Sequence, residues 1–118
     1  MPSNISEVIT SPANADIKLL RSLHERKYRR QTGLFLAEGM RICLDAVQLG
    51  FAPKKLVYVK GREADKGMAE LIAACSSNGG RVMPVPQSLL ARISRKDNPQ
   101  MVIGAFVQKQ SNLKDRSF

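Results

Sequence analysis

Apolar residues recur along the chain with two periods, and these predict four strands separated by helices. Spacings of three and four residues, as in Met40, Cys43 and Val47, are typical of one helical face. Short β-branched and aromatic runs such as Leu56-Val57-Tyr58-Val59 are typical of strands. The pattern predicts helices at about 11–33, 39–49, 65–77 and 86–94, and strands at 34–37, 56–59, 82–85 and 101–107.

This alternation favours an α/β fold, in which a small, mostly parallel sheet is covered by helices on both faces. Ser11 is expected to cap the first helix, with Pro12 at its first position and Gly33 at its end. Pro84 places the third strand at a sheet edge or at a strand end. We expect a flexible segment at 1–8, one domain at 9–107 and a polar linker at 108–118.

The composition fits one cytoplasmic domain. The chain has 118 residues, of which 43% are apolar, enough for a hydrophobic core. It shows no secretory signal and no apolar run of membrane-spanning length. Cys43 and Cys75 lie on apolar helical faces, which predicts free, buried thiols. Two distant cysteines and a single histidine make a poor zinc site, so no metal is expected.

Positive charge is the most informative property of the chain. The formal net charge is +9, and residues 21–30 hold five basic residues and one acid. On a helix, Arg30 would lie close to both Arg26 and Lys27, and these cations would repel one another. An RNA phosphate backbone is the expected partner that offsets this repulsion. A solvated helix face is the ordinary alternative for a run of charge.

Read alone, the residues form no active site. Glycine-rich phosphate loops and nucleophile motifs are missing from the sequence. His24 lies in the basic cluster, where it could contact a phosphate, but a single surface histidine on a helix is expected to be incidental. Glu38 precedes Gly39 at a helix start, where the helix dipole alone would stabilise a carboxylate. The segment Asn98-Pro99-Gln100 suits either a binding edge or a plain turn.

One set of motifs resembles a known family. It comprises Ile9-Thr10-Ser11-Pro12, then Lys27, Arg29, Arg30, Gly33, Phe35, Glu38 and Gly39, and finally Asn98-Pro99-Gln100. From about residue 9 to 107, the chain resembles the N-terminal substrate-binding domain of SpoU-type (TrmH-like) RNA 2′-O-ribose methyltransferases. It departs from the family pattern at Ala15, where proline is frequent, and at Met101, where glycine is frequent.

The resemblance implies an α/β/α sandwich like that of the kink-turn-binding ribosomal proteins. In the family, a second, knotted domain binds S-adenosylmethionine (AdoMet) and supplies the catalytic arginine. We therefore expect no cofactor and no catalytic residue in this chain, which would be a fragment of a longer enzyme. The substrate would be ribosomal or transfer RNA rather than DNA. The isolated domain would be a monomer, and the parent enzyme a homodimer.

The resemblance and the charge pattern together assign roles to nine residues. Lys27, Arg29 and Arg30 would bind phosphates, assisted by Arg26 and Arg41, since a guanidinium group can hold two phosphate oxygens. Gly39 would allow the RNA to approach the helix start, Glu38 would accept from a base edge or 2′-hydroxyl, and Asn98 and Gln100 would contact an unstacked base. Arg41 has an alternative role in a pair with Asp45.

Two other functions remain open from the sequence. One is a self-sufficient small RNA-binding module of the ribosomal-protein type. The other is a protein–protein adaptor whose basic face meets an acidic partner. Methylation by this chain alone is the least favoured function.

Overall fold

The structure is a computed structural model that describes residues 5–98 and 100–108. Pro99 and most of the predicted linker, from residue 109 on, lie outside the described residues. The helices are α1 (Ala15–Ser22), α2 (Arg26–Thr32), α3 (Met40–Gln48), α4 (Met68–Ser77) and α5 (Gln87–Ile93). The strands are β1 (Leu34–Glu38), β2 (Pro53–Val59), β3 (Arg81–Val85) and β4 (Val102–Val107). None of these helices has the length and apolarity that crossing a bilayer requires.

The strands form one sheet in the order β1-β4-β2-β3. The α/β class is confirmed, and β3 lies at an edge as Pro84 predicted. The expectation of a mostly parallel sheet is wrong for the strand pairs, because only β2 and β3 pair in parallel. Three strands run in one direction, but β4 runs the opposite way and lies between β1 and β2. The alternation of helices and strands along the sequence favours pairing between consecutive strands. It does not indicate that β4, the last strand in the chain, lies between β1 and β2.

The sheet separates two hydrophobic cores. One core contains Leu20 of α1 and Leu90 of α5, packed against Val57 of β2. The other contains Cys43 of α3 and Leu71 of α4, packed on the opposite face of the sheet. Successive strand residues point to opposite faces, so each core receives alternate side chains from β2. This arrangement is the predicted α/β/α sandwich.

The first helix differs from its prediction at both ends. Asn14, rather than Ser11, is its N-cap, and its side-chain oxygen accepts from the backbone N–H groups of Asp16 (2.8 Å) and Ile17 (3.3 Å). Pro12 lies in a turn closed by the Asn14 N–H and the Ser11 carbonyl at 3.1 Å. The helical pattern is also interrupted at residues 23–25, so that the basic cluster forms the separate helix α2. Gly33 ends α2 in a left-handed conformation, as predicted.

Capping by Asn14 can be tested by its contribution to stability. We expect Asn14→Ala to lower the free energy of unfolding by about 1 kcal/mol, because two N–H groups lose their acceptor. Ser11→Ala is the matched control, since the exposed Ser11 hydroxyl accepts only from the Ala13 N–H. Urea unfolding followed by circular dichroism measures both. A loss at Ser11 equal to that at Asn14 would contradict the assignment of the cap.

The cysteine prediction is confirmed. Cys43 and Cys75 are both free and buried. Burial raises the pKa of the Cys43 thiol to about 12 and that of Cys75 to about 11. Both groups are therefore protonated and unreactive at neutral pH.

Part of the segment expected to be flexible is bonded to the edge strand β3. Ile5 forms a parallel bridge with Val82, and the Ser6 N–H donates to the Val82 carbonyl at 2.8 Å. The Ile9 N–H donates to the Pro84 carbonyl at 2.9 Å. These bonds satisfy acceptors on an edge that would otherwise be open to pairing with another chain.

Candidate nucleic-acid interface

Helix α2 presents a row of cations without acidic partners. Arg26, Lys27 and Arg30 are exposed, and none of them forms an ion pair with another described residue. No residue of α2 is fully buried, and its first turn carries no acid. The Lys27 ammonium lies 5.0 Å from the centre of the Tyr28 ring, a cation–π contact. These three side chains are exposed to solvent, and phosphate binding by them stays a prediction.

Arg29 has a different environment from its neighbours. Its Nη1 donates to the carbonyls of Leu23 (3.0 Å) and His24 (2.9 Å), and the residue is half-buried. These carbonyls follow the end of α1, where acceptors lack partners within the helix. Arg29 therefore holds the junction between α1 and α2, which is a structural role that the charge pattern did not distinguish from phosphate binding.

Glu38 is also engaged within the chain. One of its carboxylate oxygens accepts from the Ser94 hydroxyl at 2.6 Å, and both lie 3.3 Å from the Arg95 N–H that donates to them. Only 10% of its side chain is exposed. Glu38 thus fixes the loop that follows α5. We assign it as a positioning residue in place of the base contact expected from the sequence.

His24 lies in the same cluster rather than on the open surface. Its Nε2 is 2.6 Å from the Ile93 carbonyl and 4.0 Å from a Glu38 carboxylate oxygen, and 13% of its side chain is exposed. A carbonyl can only accept, so Nε2 carries a proton in this contact. His24 joins the end of α1 to the end of α5. The expectation of an incidental surface histidine is therefore wrong, because its partner is 69 residues away in sequence.

Gly39 and Gln100 meet where β1 ends and α3 begins. Gly39 has a φ of 108°, and a Cβ atom there would lie 2.5 Å from Gln100 Oε1. Gln100 Nε2 donates to the Asn98 carbonyl at 3.1 Å. The fold therefore brings together three residues that the sequence predicted as RNA contacts. The close approach that Gly39 permits is made by the Gln100 side chain.

Arg41 lies in the first turn of α3, beside this junction. It is exposed and forms no ion pair within residues 5–98 and 100–108. The alternative pairing with Asp45 is therefore not observed. The assisting role of Arg41 in phosphate binding stays a prediction.

A depression between α1, α2 and α5 is a feature that the sequence did not predict. Its volume is about 360 Å³. Its charged lining residues are the cations Lys18, Arg21, Arg92 and Arg95 and the acid Glu25. The depression joins residues up to 77 positions apart, and only the tertiary structure places them together. The spacing of Lys18 and Arg21 on one face of α1 was a local signal.

The side chains of the cationic depression and of the neighbouring loop are mainly donors of hydrogen bonds and positive charge. They offer cations, amide groups and hydroxyl groups, while the described residues contain no group of three side chains able to hold a metal ion. The depression does not fit AdoMet, because four cations would repel its positively charged sulfonium group.

Comparison with known families gives a match over most of the chain. The family model of the MRM3-like substrate binding domain matches residues 14–104. No curated protein sequence matches the chain.

Several solved structures of RNA methyltransferases are also similar to the chain. An rRNA methyltransferase from Sinorhizobium meliloti is 36% identical with a TM-score of 0.72, over 90% of this chain and 38% of that one. An RNA 2′-O ribose methyltransferase is 29% identical with a TM-score of 0.71, over 88% of this chain and 38% of that one. The SpoU methyltransferase AviRb from Streptomyces viridochromogenes, in complex with AdoMet, is 26% identical with a TM-score of 0.66 over 80% and 36%. The chain thus spans less than two-fifths of each of these proteins.

Proposed function

Because the chain belongs to the MRM3-like substrate-binding domain family, we propose that it binds the RNA substrate of a SpoU-class 2′-O-ribose methyltransferase. The observation that carries the proposal is the exposed cationic surface of α2, whose three cations have no acidic partner among the described residues. Counterion release from RNA phosphates would supply the free energy of binding at such a surface.

The proposed contacts divide into two groups. Arg26, Lys27 and Arg30 bind phosphates and hold the RNA in register, without reading its sequence. Asn98 and Gln100, beside Gly39, contact an unstacked nucleotide through amide groups, which can both donate and accept. Glu38 keeps the Asn98–Gln100 loop in place through Ser94 and Arg95.

The methyl group would come from AdoMet bound to a part of the parent enzyme that this chain does not contain. In this proposal the RNA is ribosomal or transfer RNA in the cytoplasm. The isolated domain is a monomer, and the parent enzyme is a homodimer. The domain's own contribution is to bind and orient the RNA.

The salt dependence of RNA binding tests this function. We expect a fluorescent RNA hairpin to bind the chain with a slope of log K against log salt of about −2 to −3 from the three α2 cations. Fluorescence anisotropy between 50 and 200 mM salt measures the slope, and a DNA duplex of the same sequence is the control. Failure to bind the hairpin at 50 mM salt would overturn the proposal. Capture of an acidic protein that survives nuclease treatment would favour the adaptor function instead.

A further inference from the structure

We infer that the depression between α1, α2 and α5 is a second phosphate subsite, which extends the RNA path from α2 to the loop after α5. The inference rests on the proposed function, since it concerns the same RNA. It assigns a binding role to Lys18, Arg21, Arg92 and Arg95. Its ligand is a phosphodiester group of the RNA backbone.

The depression carries an excess of positive charge. Four cations line it with a single acid, Glu25, and none of the four forms an ion pair with a described residue. Lys18 and Arg21 are three residues apart on α1, and Arg92 and Arg95 are three apart at the end of α5. Like charges at this spacing on one helix repel each other, so the free protein holds Lys18 and Arg21 at a cost in stability that a bound anion would offset.

Helix dipoles account for only part of this charge. Arg21 and Arg92 lie in the last turns of α1 and α5, where cations are stabilised. Lys18 lies in the middle of α1, and Arg95 lies beyond the C-cap of α5. The helix dipole does not account for these two residues, which line the same depression as Arg21 and Arg92.

The position of Arg95 connects the depression to the Gly39–Gln100 junction. Its side chain lines the depression, while its backbone N–H donates to Glu38 at 3.3 Å. The same loop continues to Asn98 and Gln100, whose amide group lies against Gly39. An RNA strand with a phosphate in the depression would therefore reach the junction along this loop. At about 360 Å³, the depression suits one phosphate group with its ribose rather than a duplex.

Two matched double variants test the subsite with the same fluorescent RNA hairpin. Arg92→Gln/Arg95→Gln removes two charges from the depression. Lys54→Gln/Lys66→Gln removes two exposed charges on the side of the sheet that α3 and α4 cover. At 0.1 M salt we expect the first pair to weaken binding about 10-fold and to reduce the magnitude of the salt slope by about 1.4 to 1.8. We expect the control pair to change binding less than about 2-fold.

For a third variant we expect the opposite effect, a gain in RNA affinity. Glu25→Gln removes the acid from the depression, and the Glu25 side chain makes no capping hydrogen bond to α2. We expect RNA to bind it about 2- to 5-fold more tightly, since the subsite becomes more positive. The melting temperature of this variant shows whether it is folded, so that a gain in affinity can be assigned to the subsite.

The outcomes separate the subsite from the proposed function. Hairpin binding by the wild-type chain tests the function, and the difference between the two double variants tests the subsite. Equal losses in both pairs, or unchanged affinity in Arg92→Gln/Arg95→Gln, would overturn the subsite and leave the function standing. Thermal unfolding of each variant checks that it is folded. A lower melting temperature with unchanged RNA affinity would show that these arginines serve only the helix ends.

Discussion

Replacing Arg26 and Arg30 by glutamate is expected to weaken RNA binding by about 100-fold or more at 0.1 M salt, because two phosphate contacts become two repulsions. The two residues are four apart on α2 and both are exposed. Reversing both charges leaves a like-charge pair at the same spacing, so the intrinsic stability of α2 changes little. Fluorescence anisotropy with the RNA hairpin measures the loss.

The contacts of Arg29 and Lys27 explain why only Arg26 and Arg30 are replaced in the α2 variant. Arg29 is left unchanged because its guanidinium group supports the end of α1. Lys27 is kept because it lies over the Tyr28 ring. Lys54→Glu/Lys66→Glu, with the same change in net charge, is the matched control. If this control weakened binding as much as the α2 variant, net charge rather than the α2 surface would determine affinity.

Gly39→Ala is expected to lower the free energy of unfolding by about 2 to 4 kcal/mol. The backbone of Gly39, with φ 108° and ψ 154°, lies in a region that is essentially restricted to glycine. Its N–H donates to the Val102 carbonyl at 2.9 Å and its carbonyl accepts from the Cys43 N–H at 3.0 Å, so the backbone has little freedom to relax. The new Cβ would also displace the Gln100 side chain.

Gly33→Ala is the matched control for this variant. Gly33 also has a positive φ, 73°, but a Cβ atom added there would meet no other atom within 4 Å, and its left-handed conformation costs an alanine only about 1 to 2 kcal/mol. Urea unfolding of both variants gives the comparison. The double variant Gly39→Ala/Gln100→Ala isolates the contribution of the side-chain contact as a coupling energy. Equal destabilisation at the two glycines would refute the special constraint at Gly39.

The local sequence pattern predicted helices and strands well where one face of the element is buried. Met40, Cys43 and Val47 predicted α3 because their period matches the surface that α3 packs on the sheet. The first helix was predicted less well. Ser11 and Pro12 form a plausible helix start, but the Asn14 side chain competes for the same role and makes two hydrogen bonds. The interruption after Leu23 lies where His24 contacts the distant Ile93 carbonyl, a partner that the local pattern does not contain.

The residues of the candidate site also differ in how much of their environment the sequence could predict. The charge pattern predicted a basic surface that includes Arg26, Lys27 and Arg30, and these three side chains are exposed. It could not separate Arg29 from them, since the carbonyls that Arg29 binds become available only when α1 ends. The sequence placed Glu38 at the start of a helix, whereas it is the last residue of β1, and its hydrogen bond with Ser94 depends on a residue 56 positions away.

The sequence by itself determined the α/β class, the basic surface of α2 and the glycines at α2 and α3, because periodicity, charge and backbone freedom are local properties. Only the tertiary structure decided the position of β4 between β1 and β2, the hydrogen bonds of Glu38 and His24, and the cationic depression. These features join residues that are far apart in the chain, and their partners are set by the order in which the strands pack. Packing between distant parts of the chain leaves no periodic signal in the sequence. Only the tertiary structure therefore shows how the candidate binding surface is assembled.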